Sequence, residues 1–226
     1  MLRNRDITDQ LTQLLQDAEE EAINDYRRCR VHEEDGITVS LLKELKTSRN
    51  FNAWGKNLRL EIDAYRAPDE PSSGADIAVR YQYLDNDSNN RYTRGIIAQA
   101  KMYDQSHPNM SDQCEDMLFI TDESYVFTYS TGQFRVAPAL PIYIDGGVGG
   151  KFRKYYSIRF YQFMFRYIQG FHGDRAIATE IGRPLTASPL SFDYLLDLRL
   201  GISQEPEQIY RFDRPDSDEF DEISEE

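Results

Sequence analysis

The chain has 226 residues, 40% of them hydrophobic, which is enough for one well-buried core with small additions and too few for two full domains. A formal net charge of −13 speaks against a protein that holds nucleic acid by general electrostatics, because neutralising phosphates takes clustered Lys and Arg. Cys29 and Cys114 are the only cysteines, with no CxxC pair and no companion His cluster, so neither a disulfide framework nor a structural zinc site is indicated.

The start, MLRNRDITDQ, lacks a basic stretch followed by an apolar run, and no segment approaches the roughly 18 consecutive apolar residues of a membrane span. The expectation is a soluble, cytoplasmic protein without a membrane partner. Leu11, Leu14, Leu15, Ala18, Ala22 and Ile23 recur at helical spacing, so the chain from about Asp9 to Arg28 reads as an amphipathic helix packed on the core. A second helix runs from Glu33 to Lys46, with Ile37, Leu41 and Leu45 on one stripe and Gly36 weakening its first turn.

From Leu58 to Tyr65 apolar residues alternate with polar ones as in a strand, and APDEPSSG after it is a loop. Ala75 to Leu84 is the next strand, Asp85 to Asn90 a hairpin connection, and Gly95 to Met102 a short apolar strand. Gln105 to Phe119 reads as a helix, Ser124 to Tyr129 as a strand, and Gly132 as a turn into a further strand, Phe134 to Ala139. GGVGG, Gly146 to Gly150, is expected to be a hinge, and it is no phosphate-binding loop because the GK[ST] ending is missing. Tyr155 to Phe171 carries aromatic residues on every face, which predicts a mostly buried helix.

Charge is unevenly spread. From Gln204 to Glu226, ten acidic residues face two arginines, a net −8, and this tail is expected to be flexible or docked as an extended segment. From Lys151 to Arg175, six basic residues face Asp174 alone, a net +5, which makes Lys151, Arg153, Lys154 and Arg159 the candidates for phosphate contacts. The rings of that segment are read as core rather than as a base-stacking surface.

Asp76, in GAD, opens one apolar strand, and Gln99 and Lys101, in QAK, sit two apart on the next and so share a face. A hairpin joining these strands brings two oxygen donors and one ammonium together at the sheet's end. Hydrolysis of a phosphodiester needs such a set: oxygens for a hard cation such as Mg2+ or Mn2+, and a positive charge that orients water or offsets developing negative charge. The plainer alternatives are that Asp76 merely exits a strand and that Lys101 snorkels out of one. Against them, Asp is disfavoured in strands, and an ammonium after GIIAQA is costly to bury without a partner. His32, His107 and His172 are scattered without a ligand spacing and are assigned surface or packing roles.

With GAD and QAK on consecutive strands behind a helix, the chain from Glu33 to Ala139 resembles the PD-(D/E)XK, restriction-endonuclease-like nuclease superfamily. QAK looks like the variant of E-x-K found in Mrr-like branches, and the amide in place of a carboxylate weakens the expected hold on a metal. The resemblance implies an α/β fold with a central mixed sheet flanked by helices, and an accessory acid from the preceding helix. Glu34 shares the stripe of Ile37, Leu41 and Leu45 and is the choice over Glu33; Glu70, in the loop before Asp76, is a secondary ligand. The expected organisation is one domain over 1–202, with a core at about 31–140, a C-terminal helical part at 151–202, and the acidic tail at 203–226.

The function implied is a metal-dependent endonuclease acting on DNA, by analogy a defence or restriction effector, with Asp76, Gln99, Lys101 and Glu34 catalytic and Asp76, Gln99 and Glu34 on the metal. Homodimerisation and a partner subunit held through the tail fit that picture. The alternatives are a catalytically inactive nuclease-fold subunit that mediates protein–protein interaction, and a nuclease acting on RNA.

Overall fold

In the computed structural model, the residues described are 5–28, 30–31, 33–53, 55–67, 74–146, 152, 155–181, 190, 192–204, 212 and 221–223. Helix α1 (Arg5–Arg27) buries the stripe Leu11, Leu14, Leu15, Ala18 and Ala22, while Gln13 and Gln16 on its outer face each donate one turn on, to Asp17 (2.6 Å) and Glu20 (2.9 Å). Helix α2 (Glu34–Leu45) packs against α1 and lays Ile37, Leu41 and Leu45 on the sheet.

The sheet is mixed. It comprises β1 (Thr47–Ala53), β2 (Lys56–Arg66), β3 (Ile77–Asp85), β4 (Asn90–Met102), β5 (Ser124–Tyr129), β6 (Phe134–Pro138), β7 (Ile158–Arg159) and β8 (Tyr194–Ser203), in the order β1-β2-β8-β3-β4-β5-β6-β7. Helices cover both faces, so the fold is α/β. Ile77, Val79, Ala98, Ala100, Leu196 and Leu198 face α1, α2 and α5 (Phe160–Ile168). Ala78, Ile97, Val126 and Leu195 face α3 (Met110–Ile120), α4 (Ala139–Ile144) and α6 (Arg175–Ile181). Burial on both sides explains why the central strands read as apolar runs rather than as alternation.

Three expectations are corrected. The C-terminal part is not simply helical: besides α5 and α6 it holds β8, which returns to the middle of the sheet, antiparallel to β2 and parallel to β3. Asp197 and Arg199 interrupt its apolar run and hide it, yet both are buried because Arg80 and the acids of β2 neutralise them across the sheet. The aromatic segment forms a helix only over Phe160–Ile168, since Ile158 and Arg159 pair with β6; it buries Phe160, Phe163, Met164 and Tyr167, while Tyr156 and Phe171 are 77% and 72% exposed. A strand precedes the first one expected: β1, of sequence TSRNFNA, is too polar to stand out and pairs along β2.

The hairpin at Asp85 to Asn90 is present, with Asn89 at a positive φ of 50°, a conformation Asn tolerates. Within the acidic tail, Asp221–Glu222 (β9) pairs with β2, Ile223 is buried and Lys46 meets Glu222 at 2.7 Å, so this part docks as an extended segment. Positions 147–150 of the glycine block lie outside the described residues.

Candidate active site at the end of strand β3

The site arises where two paired strands stop together at one end but not at the other. β3 begins at Ile77, opposite Ala98, whereas β4 continues to Met102. In a strand the N–H and C=O of one residue point to the same side. On the β5 side, Tyr103 N–H donates to the Tyr129 carbonyl at 2.8 Å. On the other side, Asp76 N–H still reaches the Ala98 carbonyl at 3.0 Å, but among the described residues no strand receives Ala100 and Met102. Two carboxylates take its place: Asp76 Oδ2 accepts Ala100 N–H at 2.8 Å, and Glu34 Oε2 accepts Met102 N–H at 3.1 Å.

Each carboxylate is held from behind. The Asp76 carbonyl accepts the N–H groups of Asp193 (3.0 Å) and Tyr194 (2.9 Å) at the start of β8. Glu34 is the first residue of α2, where a negative charge suits the helix dipole, and its carbonyl accepts the Thr38 hydroxyl at 2.9 Å. Glu33, by contrast, is exposed.

Gln99 and Lys101 lie on the same face of β4 as Ile97, beneath α3. Lys101 Nζ stands 3.0 Å from Glu34 Oε1 with its side chain only 10% exposed, so the ammonium is held rather than snorkelling freely. Gln99 is 1% exposed; its Nε2 donates to Asp76 Oδ2, and its Oε1 has no hydrogen-bond partner among the described residues. An orphaned buried acceptor costs about 1–3 kcal/mol.

Burial pushes the Asp76 carboxyl up to about 6; Lys101 and the donors Ala100 N–H and Gln99 oppose this, and Glu34 adds to it. The structure thus brings Asp76, Gln99, Lys101 and Glu34 together. Glu70, Lys151, Arg153 and Lys154 lie outside the described residues. Arg159, expected as a phosphate contact, has its guanidinium 3.1 Å from Glu19, a fully buried carboxylate that also accepts Phe134 N–H (3.2 Å) and Tyr161 N–H (3.0 Å). It neutralises a charge inside the fold.

Three neighbours escape a sequence reading. Tyr194, at the start of β8, donates its hydroxyl to Asp35, next to Glu34. Tyr129 is buried, pairs with Thr38 at 3.1 Å, and has its phenol pushed up by burial and by the nearby charges of Asp76 and Glu34. His107 meets the Met102 carbonyl through Nε2 at 2.7 Å, and its ring centroid lies 5.8 Å from that of Phe152. Only the pairing of β8 with β3 identifies the first, and only the edge geometry of β4 the third.

Two carboxylates and an amide oxygen are hard donors suited to Mg2+ or Mn2+. Among the described residues no group of three or more His, Cys, Asp or Glu could hold a metal ion. Compared with known proteins, the chain is matched by no family model, no curated protein and no solved structure.

Proposed function

We propose that the chain is a metal-dependent endonuclease with a restriction-endonuclease-like core, hydrolysing DNA phosphodiesters with Asp76, Glu34, Gln99 and Lys101. The observation that carries this reading is the Gln99 amide. With nitrogen toward Asp76, its oxygen is buried without a partner among the described residues; with oxygen toward Asp76, two acceptors face one another, an arrangement that a proton or a metal cation between them would satisfy. A site built only to terminate β3 would not leave that conflict.

Asp76, Glu34 and the Gln99 amide oxygen would hold the cation, which supplies Lewis-acid polarisation of the phosphoryl group and a more acidic water. Lys101, kept at the notch by Glu34, offsets the negative charge that grows on the phosphoryl oxygens. The chain order α2, β2, β3, β4, α3, β5 supports the core assignment, with β8 lying between β2 and β3 in the sheet. Among the described residues no helix is long and apolar enough to cross a membrane.

A second reading, an inactive nuclease-fold subunit, is favoured by the ion pair itself, since Lys101 already satisfies Glu34. Incubation of supercoiled and linear DNA with the purified protein in Mg2+, Mn2+ or EDTA separates the two. Metal-dependent nicking that Asp76→Ala and Lys101→Ala both abolish establishes the enzyme, and RNA competitors identify the preferred sugar. Absence of cleavage together with absence of metal binding selects the subunit.

A further inference from the structure

We propose that His107 is a further catalytic residue of this site, accepting through Nδ1 the proton of the water that attacks the phosphorus. The inference rests on the nuclease reading above and adds a residue to it. Its basis is the edge of β4. Because the N–H and C=O of one residue share a side, the Met102 carbonyl points into the same notch as its N–H, which Glu34 receives. His107 occupies that carbonyl at 2.7 Å, so the unpaired edge carries Asp76 at Ala100, Glu34 at Met102 N–H and His107 at Met102 C=O.

A carbonyl only accepts, so the hydrogen of this bond comes from Nε2, and Nδ1 is the ring nitrogen left to accept a proton. Nδ1 has no partner among the described residues, and it lies on the side of the ring turned away from β4. The ring is half-buried and lies against Phe152, with the ring centroids 5.8 Å apart. Along the same edge Asp76 and Glu34 each accept a backbone N–H, and Lys101 Nζ stands 3.0 Å from Glu34. His107 brings an imidazole to this set.

In the step, a water O–H bond breaks and its proton passes to Nδ1 while the oxygen forms the new bond to phosphorus. The bond to the leaving sugar oxygen breaks, that oxygen is protonated from solvent, and the imidazolium returns its proton to solvent. The sum is one water divided between a phosphate and a sugar hydroxyl.

His107→Ala and His107→Gln test the assignment in single-turnover cleavage of a duplex oligonucleotide, with DNA affinity in EDTA measured in parallel. A positioned general base is worth about a hundredfold or more, so both variants should lose about that much rate while affinity stays within about twofold. Free imidazole should restore His107→Ala by at least about tenfold, because it supplies the missing base in the space vacated. Glutamine keeps a donor for the Met102 carbonyl, so recovery of full rate in His107→Gln would show a structural role and overturn the proposal. A rate within about threefold of the parent in both variants would overturn it as well. If the parent protein cleaves nothing, the nuclease reading falls and this assignment falls with it, an outcome distinct from an active parent with unaffected variants.

Discussion

Replacing Asp76 by Asn separates a working carboxylate from one that merely ends a strand. With the carboxyl raised from 3.8 to about 6 in the fold, folding favours the protonated form, so the group destabilises the metal-free protein once pH exceeds the unfolded value. The penalty is absent below about pH 3.8, grows as pH rises to about 6, and is complete above it. At 1.36 kcal/mol per unit, it amounts to about 3 kcal/mol at about pH 8 and to roughly half that at about pH 5.

Asn keeps an oxygen for Ala100 N–H and offers an amide nitrogen to a Gln99 turned with Oε1 inward, so the orphaned acceptor gains a donor as the charge disappears. Urea denaturation in EDTA should therefore show Asp76→Asn more stable than the parent by about 2–3 kcal/mol at about pH 8, with a smaller gain at about pH 5. Saturating Mg2+ should stabilise the parent and leave the variant unchanged, by linkage to binding. A variant less stable than the parent by about 1 kcal/mol or more at about pH 8 would refute this reasoning: it would mean that the hydrogen bonds, not burial, govern the carboxylate.

Two further stability changes are read by the same assay, and a third outcome is read from DNA binding. A Cβ on Gly95 would stand 2.8 Å from Ala178 N and from Ile181 Cδ1, so Gly95→Ala should push α6 off β4 and cost about 1–3 kcal/mol. Arg80 holds Asp197 at 2.7 Å with both side chains buried, and Arg80→Leu should cost about 3–5 kcal/mol by leaving a buried charge short of its partner. Truncation after Ser203 removes a net −8 and the docked Asp221–Glu222 strand; DNA affinity in anisotropy titrations should rise at low salt and converge with the parent's at high salt, and unchanged affinity would count against shielding by the tail.

Where the fold was legible, local pattern and tertiary role agreed. The leucines of α1, the stripe of α2 and the runs of β3 and β5 each declare an element by a period that the packing then uses. Where it was not, a residue's partner lies far along the chain. β8 carries Asp197 and Arg199 in the centre of a sheet, a pattern tolerable only because Arg80 and Glu61 stand on neighbouring strands, and nothing within YLLDLRLGIS declares that. Arg159 is the same case in reverse: a surface-reading arginine whose counterion, Glu19, belongs to a helix some 140 positions earlier.

The candidate site divides along the same line. Asp76, Gln99 and Lys101 are legible because strand geometry is local: adjacent strands and a spacing of two bring them to one end. Glu34 is legible because a helical wheel separates it from Glu33. The notch itself is not, since it depends on β3 starting three positions short of a partner register that would reach Lys101, and that depends on β8 receiving the Asp76 carbonyl. His107 follows from the same mismatch. An edge of backbone left unpaired has to be satisfied by side chains, and here those side chains are two acids and an imidazole converging where strand pairing ends. The unmet hydrogen bonds that stop the ladder therefore also gather the groups proposed to act on a phosphodiester, and the Gln99 oxygen is a buried acceptor there that no residue described satisfies.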